Sequence, residues 1–198
     1  MVMGSFSQGA GRLLDRLHER GLTAHGLAVG KLAINVCREL GLSDAQTSIV
    51  TRGAIFHDAG KLEIPPELLD RAGPLRPLEW ALVRTHPARG ERIVSAIDGL
   101  VDVAPIVRHH HERWDGGGYP DRLAARAIPF GARIVFACDA FDAMTSPRPY
   151  RPTLGVSEAL EEVRAGAGSQ FDSVVAAALM KSVTSSPTLV RPTAVRHH

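Results

Sequence analysis

The chain has 198 residues, of which 44% are apolar and 5% aromatic, and its formal net charge is +2 with histidine neutral. That length suits one well-buried domain and is short for two. The weak charge argues against holding polymeric nucleic acid by bulk electrostatics, and no apolar run approaches the length of a membrane span. No signal peptide is visible at the N-terminus. Cys37 and Cys138 sit in apolar helical patterns and read as small core residues in a reducing compartment. The expected location is cytoplasmic.

Residues 1–9 read as a loose start. Leu13, Leu14 and Leu17 predict a short amphipathic helix up to about Arg20, with Gly21 as its stop. Thr23 is the expected cap of the next helix, which carries His25, Val29, Leu32, Ala33, Val36 and Leu40 at helical spacing until Gly41. Ser43 and Asp44 open a third helix, predicted to run through Ile49, Val50, Ala54 and Ile55 to His57 and Asp58. Pro65-Pro66-Glu67 begins a short helix ending near Gly73, and Pro77 starts another through Trp80 to about Thr85. Pro87 suits the first turn of the helix after that, whose apolar face is Ile93, Val94 and Ile97. A helix is predicted over 101–112, then a long Gly/Pro-rich loop over 113–129. Residues 130–144 are apolar enough to resemble a buried strand, but their length favours helix. Two more helices are predicted over 156–165 and 172–183, followed by a tail rich in Ser, Thr and Pro. No strand alternation persists and no repeat is visible. The predicted class is all-α: a compact single-domain helical bundle, with residues 1–20 as an N-terminal extension, 21–185 as the domain and 186–198 as a flexible tail.

Nine histidines are the unusual count, and four of them fall in two motifs. The densest is Ile106–Pro120, I-V-R-H-H-H-E-R-W-D-G-G-G-Y-P. On a helix, adjacent residues fan out by about 100°, so at most two of His109, His110 and His111 can point into one pocket. Gly116, Gly117 and Gly118 end the helix and permit left-handed backbone, and Tyr119-Pro120 closes the turn. A second motif, Ala54–Lys61, ends an apolar helix with His57, Asp58 and Lys61. His57 and Lys61 are four positions apart, which puts them on one helix face. Asp58 lies beside them, with two oxygens that can bridge two cations. Burying such a trio is costly unless a metal or a phosphate compensates it. Asp139, amid Val135, Phe136, Ala137, Cys138 and Ala140, should likewise be paired or metal-bound. His25 and His86 carry little signal by themselves.

The signatures H-D-A-G-K at 57–61 and H-H-E-R-W-D-G-G-G-Y-P at 110–120, with D-A-F-D-A-M-T-S-P-R-P-Y-R at 139–151, resemble the HD-GYP family. That family is a subgroup of the HD-domain metal-dependent phosphohydrolases, and the resemblance covers roughly residues 20–185. It implies that His25, His57, Asp58 and Asp139 form a basic metal set. It also implies that His86, His110 and His111 create a second site, with Asp58 bridging. Two divalent ions are expected, iron or manganese by the resemblance, although the residues alone leave zinc open. Some members carry a glutamate one turn before the first histidine for a third metal; here that position is Gly21. The implied nucleophile is a hydroxide bridging the metals, with Lys61 neutralising charge on the phosphate. Arg148 and Arg151 are placed at the nucleotide by the resemblance, suiting a phosphate or a guanine edge. Tyr119 either stacks on a base or packs the loop. Glu112, Asp115 and Asp142 read as supporting or loop-fixing groups. Arg108 and His109 are given no role. The implied activity is hydrolysis of a cyclic dinucleotide, cyclic di-GMP, to linear pGpG and/or GMP. The alternative is a low-turnover signalling module that binds a cyclic dinucleotide or a regulatory protein through the GYP loop.

Overall fold

The computed structural model describes residues 7–71, 73–146 and 153–185. In it the chain is all-α. Among the described residues ten α-helices follow one another: α1 Gln8–Glu19, α2 Thr23–Glu39, α3 Asp44–Phe56, α4 Pro66–Leu69, α5 Pro77–Val83, α6 His86–Ser95, α7 Ala104–His109, α8 Phe130–Thr145, α9 Val156–Ala165 and α10 Ser173–Ser185. Short 3-10 turns at Ala59–Glu63, Val101–Val103 and Ala125–Ala127 link them. Among the described residues the β content is one isolated bridge, Ala167 to Phe171. No helix there is long and apolar enough to cross a membrane.

Local chemistry accounts for several boundaries. Ser43 and Gln46 form a reciprocal capping box that starts α3, with the Gln46 amide donating to Ser43 Oγ and the Ser43 amide to Gln46 Oε1. Gly21 and Gly41 follow α1 and α2 with φ of +69° each. Other boundaries differ from expectation. Helix α1 already includes Gln8 and Gly9, because Ser7 Oγ accepts from the Ala10 amide and caps it. Thr23 is the first residue of α2 instead of its cap, and its hydroxyl donates to the Leu14 carbonyl. Helix α3 stops at Phe56, so His57 and Asp58 form the corner where α-helix gives way to a 3-10 turn. The element expected over 101–112 is split. Its α-helical part spans only Ala104–His109 and begins next to Pro105, which lacks the N–H that an earlier start would need. Helix α10 runs through Thr184 and Ser185, two residues past the end expected for that helix.

The buried side chains form two apolar clusters. One joins α2, α3, α8, α9 and α10 and includes Val29, Val36, Ile134, Phe141, Val163 and Leu179. The other joins α1, the end of α3, α6 and α7 around Leu13, Leu17, Phe56, Val94 and Val107. Helices α3 and α7 feed both clusters: Val50 and Ile106 belong to the first, Phe56 and Val107 to the second. Cys37 and Cys138 are free and buried, and burial pushes the Cys37 thiol up to about 11.

Two backbone contacts bring the histidine-bearing segments together. A Cβ at Gly26 in α2 would lie 2.5 Å from the Ile55 carbonyl oxygen, so α2 and α3 meet backbone to backbone beside His25 and His57. A Cβ at Gly60 would collide with the His86 carbonyl, so the 3-10 turn lies directly on the start of α6. Only glycine permits approaches this close.

Candidate metal centre

Five segments deliver the polar residues. His25 comes from the first turn of α2, His57 and Asp58 from the corner after α3, and His86 from the first position of α6. His110 and His111 follow the last residue of α7, and Asp139 projects from the middle of α8. These seven residues form two adjoining groups. In the first, His25 Nε2 lies 3.0 Å from Asp139 Oδ1, while His57 Nε2 lies 3.4 Å from Asp58 Oδ2 and 4.0 Å from Asp139 Oδ1. In the second, donor atoms of His86, His110 and His111 all lie within 4.8 Å of one another. Asp58 faces both: its other oxygen, Oδ1, is 3.4 Å from His86 Nε2.

Hydrogen bonding decides which ring nitrogens are available. His57 Nδ1 is 2.7 Å from the Ala54 carbonyl, His86 Nδ1 2.9 Å from that of Val83, and His110 Nδ1 2.7 Å from that of Val107. A carbonyl can only accept, so each Nδ1 carries the hydrogen, and Nε2 of the neutral ring is a bare lone pair. The three histidines share the device of donating to the carbonyl three residues earlier. His86 Nε2 and His110 Nε2 are only 3.2 Å apart. Two neutral imidazoles so arranged point lone pair at lone pair, which is repulsive unless a cation lies between them. Asp58 Oδ1 is buried without a hydrogen-bond partner, a costly state for a carboxylate oxygen. The two observations agree: this donor set fits divalent cations.

The electrostatics point the same way. Burial lowers the His86 pKa to about 4, with Lys61 and His57 adding repulsion against the attraction of Asp58. Burial likewise drives His111 to about 3 and holds His110 well below its ordinary value. These rings are neutral at physiological pH, the protonation state in which imidazole ligates metals. His25 differs. Burial lowers its pKa, but hydrogen bonds to Asp139 and Asp142 outweigh that and raise it to about 10. Burial also opposes ionisation of Asp58, yet Lys61 and then His57 keep it well below the ordinary carboxylate range. Lys61 Nζ donates to Asp58 Oδ2 at 2.6 Å. Since α-helix ends before Lys61, this pairing takes the place of the shared helix face with His57 that the spacing suggested.

Support for the site comes from the following loop. Glu112 is buried and accepts hydrogen bonds from the Asp121 and Leu123 amides, which suspends the loop from the end of α7. Of the three glycines that permit left-handed backbone, only Gly116 has positive φ, +79°. Gly118 serves close approach instead, since a Cβ there would lie 2.5 Å from both Glu112 Cα and the His111 carbonyl oxygen. Asp115 accepts from Arg113 and from the Gly117 amide. His109 turns away from the pocket and pairs with Asp121, which also takes the Arg108 guanidinium. Arg108 and His109 therefore fasten the loop, a role that their position beside the motif did not reveal. Asp142 approaches His25 Nδ1 at 2.8 Å and orients that ring. Tyr119 stacks on His111, with centroids 4.7 Å apart and planes at 24°, and the Arg84 guanidinium lies 4.3 Å above its ring. Arg148 and Arg151 lie outside the described residues.

Residues 12–175 match the family described as HD domain. Relatives of known name are similar over most of this chain. A cyclic di-GMP phosphodiesterase of Thermotoga maritima is 37% identical over 159 residues, covering 79% of this chain and 43% of the relative. A cyclic di-GMP phosphodiesterase of Pseudomonas aeruginosa is 38% identical over 165 residues, covering 80% of this chain and 38% of the relative. This chain thus spans about two fifths of the length of such relatives. Among solved structures, an HDG"Y"P protein from Bdellovibrio bacteriovorus has a TM-score of 0.66 at 23% identity, covering 82% of this chain and 52% of the other. A cyclic GMP-AMP specific phosphodiesterase from Vibrio cholerae has a TM-score of 0.67 at 17% identity, covering 91% of this chain and 49% of the other. At these identities the structural likeness speaks to the fold.

Proposed function

This chain belongs to the HD-domain family, with the HD-GYP signatures, and on that premise we propose that it is a metal-dependent phosphodiesterase for a cyclic dinucleotide. The proposed substrate is cyclic di-GMP and the product is linear pGpG, GMP or both. The observation that carries the reading is the pair of bare imidazole nitrogens, His86 Nε2 and His110 Nε2, 3.2 Å apart beside the unpartnered Asp58 Oδ1. Two neutral rings so placed favour a cation between them, and relatives similar over most of this chain are named as cyclic di-GMP phosphodiesterases.

In this reading His25, His57, Asp58 and Asp139 hold one divalent ion, and His86, His110 and His111 hold the other, with Asp58 shared. The mixed imidazole and carboxylate set suits iron or manganese. Gly21 offers no side chain for a third ion. Bound divalent ions supply Lewis acidity to the phosphoryl oxygens and lower the pKa of water. The residues do the rest. Lys61, fixed on Asp58, places a positive charge where negative charge builds on the phosphate. Nδ1 hydrogen bonds hold His57, His86 and His110 in one tautomer throughout. Arg148 and Arg151 would engage a phosphate or the guanine edge. A regulatory protein would act through the loop that Glu112 suspends. The free, buried cysteines support a reducing, cytoplasmic setting. Nothing observed favours the low-turnover signalling alternative.

The test is product analysis. Protein purified anaerobically and loaded with iron or manganese should convert cyclic di-GMP to pGpG or GMP, and chelator should abolish the conversion. Loaded protein that leaves cyclic di-GMP intact would overturn the reading.

A further inference from the structure

Two cations stand beside the centre in different circumstances. Lys61 is already paired with a carboxylate of the site, Asp58, at 2.6 Å. Arg84 is not. Its neighbours along the chain are all engaged: Arg71 and Arg76 pair with Glu79, and Arg89 and Arg92 with Glu63. Arg84, between them, has no carboxylate partner among the described residues. Arg84 is half-buried, and its guanidinium lies 4.3 Å from the centroid of Tyr119, whose ring stacks on His111. One aromatic ring therefore separates an uncompensated guanidinium from a candidate metal ligand. An aromatic face positions a guanidinium without neutralising it, and the planar fork keeps its N–H donors free for an anion.

A cyclic dinucleotide carries two phosphodiesters. The one undergoing hydrolysis belongs at the metals and Lys61. The other lies away from the metals and calls for a cation of its own that no carboxylate has neutralised. We propose that Arg84 holds the phosphate of the cyclic dinucleotide that is not being cleaved, with Tyr119 as the platform that fixes the guanidinium. This rests on the cyclic dinucleotide reading given above. It makes Arg84 a specificity residue for substrates with two phosphates.

The competing role is mechanical: Arg84 could press Tyr119 onto His111 and so shape the metal site. The experiment separates them by comparing Arg84→Ala, Arg84→Lys and wild type, all metal-loaded, on cyclic di-GMP and on bis(p-nitrophenyl) phosphate. The second substrate has a single phosphate. Arg84→Ala should lower kcat/KM on cyclic di-GMP by about 10- to 150-fold, the range for a hydrogen bond to a charged group. The loss should fall mainly on KM, with no more than about a threefold loss on the small diester and two metals retained. Arg84→Lys should recover part of the loss, because it restores charge without the fork. Equal losses on both substrates, or loss of metal, would mean that Arg84 acts through Tyr119 and His111, and would overturn the proposal. No loss on either would overturn it as well. Wild-type protein that cleaves the small diester but not cyclic di-GMP would sink the cyclic dinucleotide reading itself, and this proposal with it.

Discussion

At the scale of single residues, the centre depends on how each imidazole is held. His57, His86 and His110 use one local device, an Nδ1–H donated to the carbonyl three residues earlier. His25 uses a distant one, the Asp142 carboxylate on α8. The two are unequal under mutation. A backbone carbonyl cannot be removed by substitution, whereas Asp142 can. Asp142→Ala should free the His25 ring and weaken the ion held with His57 and Asp139 by about 10- to 100-fold, the usual cost of losing such a partner. Titration of metal into chelated protein, with occupancy read by elemental analysis, checks this. Unchanged affinity would show that the ring is oriented by packing alone. The residues themselves singled out Asp139 and the two motifs that hold His57, Asp58, His110 and His111, whereas His25 and His86 carry little signal alone and entered the set through the resemblance. The sequence was silent on Arg108, His109 and Arg84, whose partners lie far along the chain or on another helix and leave no trace in local spacing.

At the scale of elements, the site exists because short glycine contacts let backbones touch. Apolar periodicity was enough to locate most helices. It could not show that the chain bends out of α3 at His57, because the bend follows from the packing of the 3-10 turn on α6 at Gly60. Nor could it foresee that Gly118 is needed for closeness and not for handedness. Gly26→Ala tests this level. The added methyl would sit 2.5 Å from the Ile55 carbonyl oxygen and force α2 away from α3. Overpacking of this kind costs about 1–3 kcal/mol. For a chain of this size each kcal/mol lowers Tm by about 2–4 °C. Metal affinity should fall with it, since His25 and His57 ride on the two helices being separated. Thermal unfolding of the chelated protein measures the first effect free of the second. An unchanged Tm would mean the helix pair relaxes at no cost.

At the scale of the whole molecule, two apolar clusters share α3 and α7, and four of the seven candidate ligands, His57, Asp58, His110 and His111, leave from the ends of those helices. Neither cluster includes any of the seven candidate ligands. The fold should therefore survive loss of the centre, which makes the ligand assignment separable from folding. Metal content per chain, measured beside helical circular dichroism, is the direct test. Wild-type protein should carry two divalent ions. His110→Ala should keep about one and lose most hydrolysis, because only the second group is broken. Asp58→Ala should lose both, since its two oxygens face His57 and His86. All three proteins should show the same helical signal. Near-stoichiometric metal in Asp58→Ala, or two ions retained in His110→Ala, would contradict a centre built from these seven side chains.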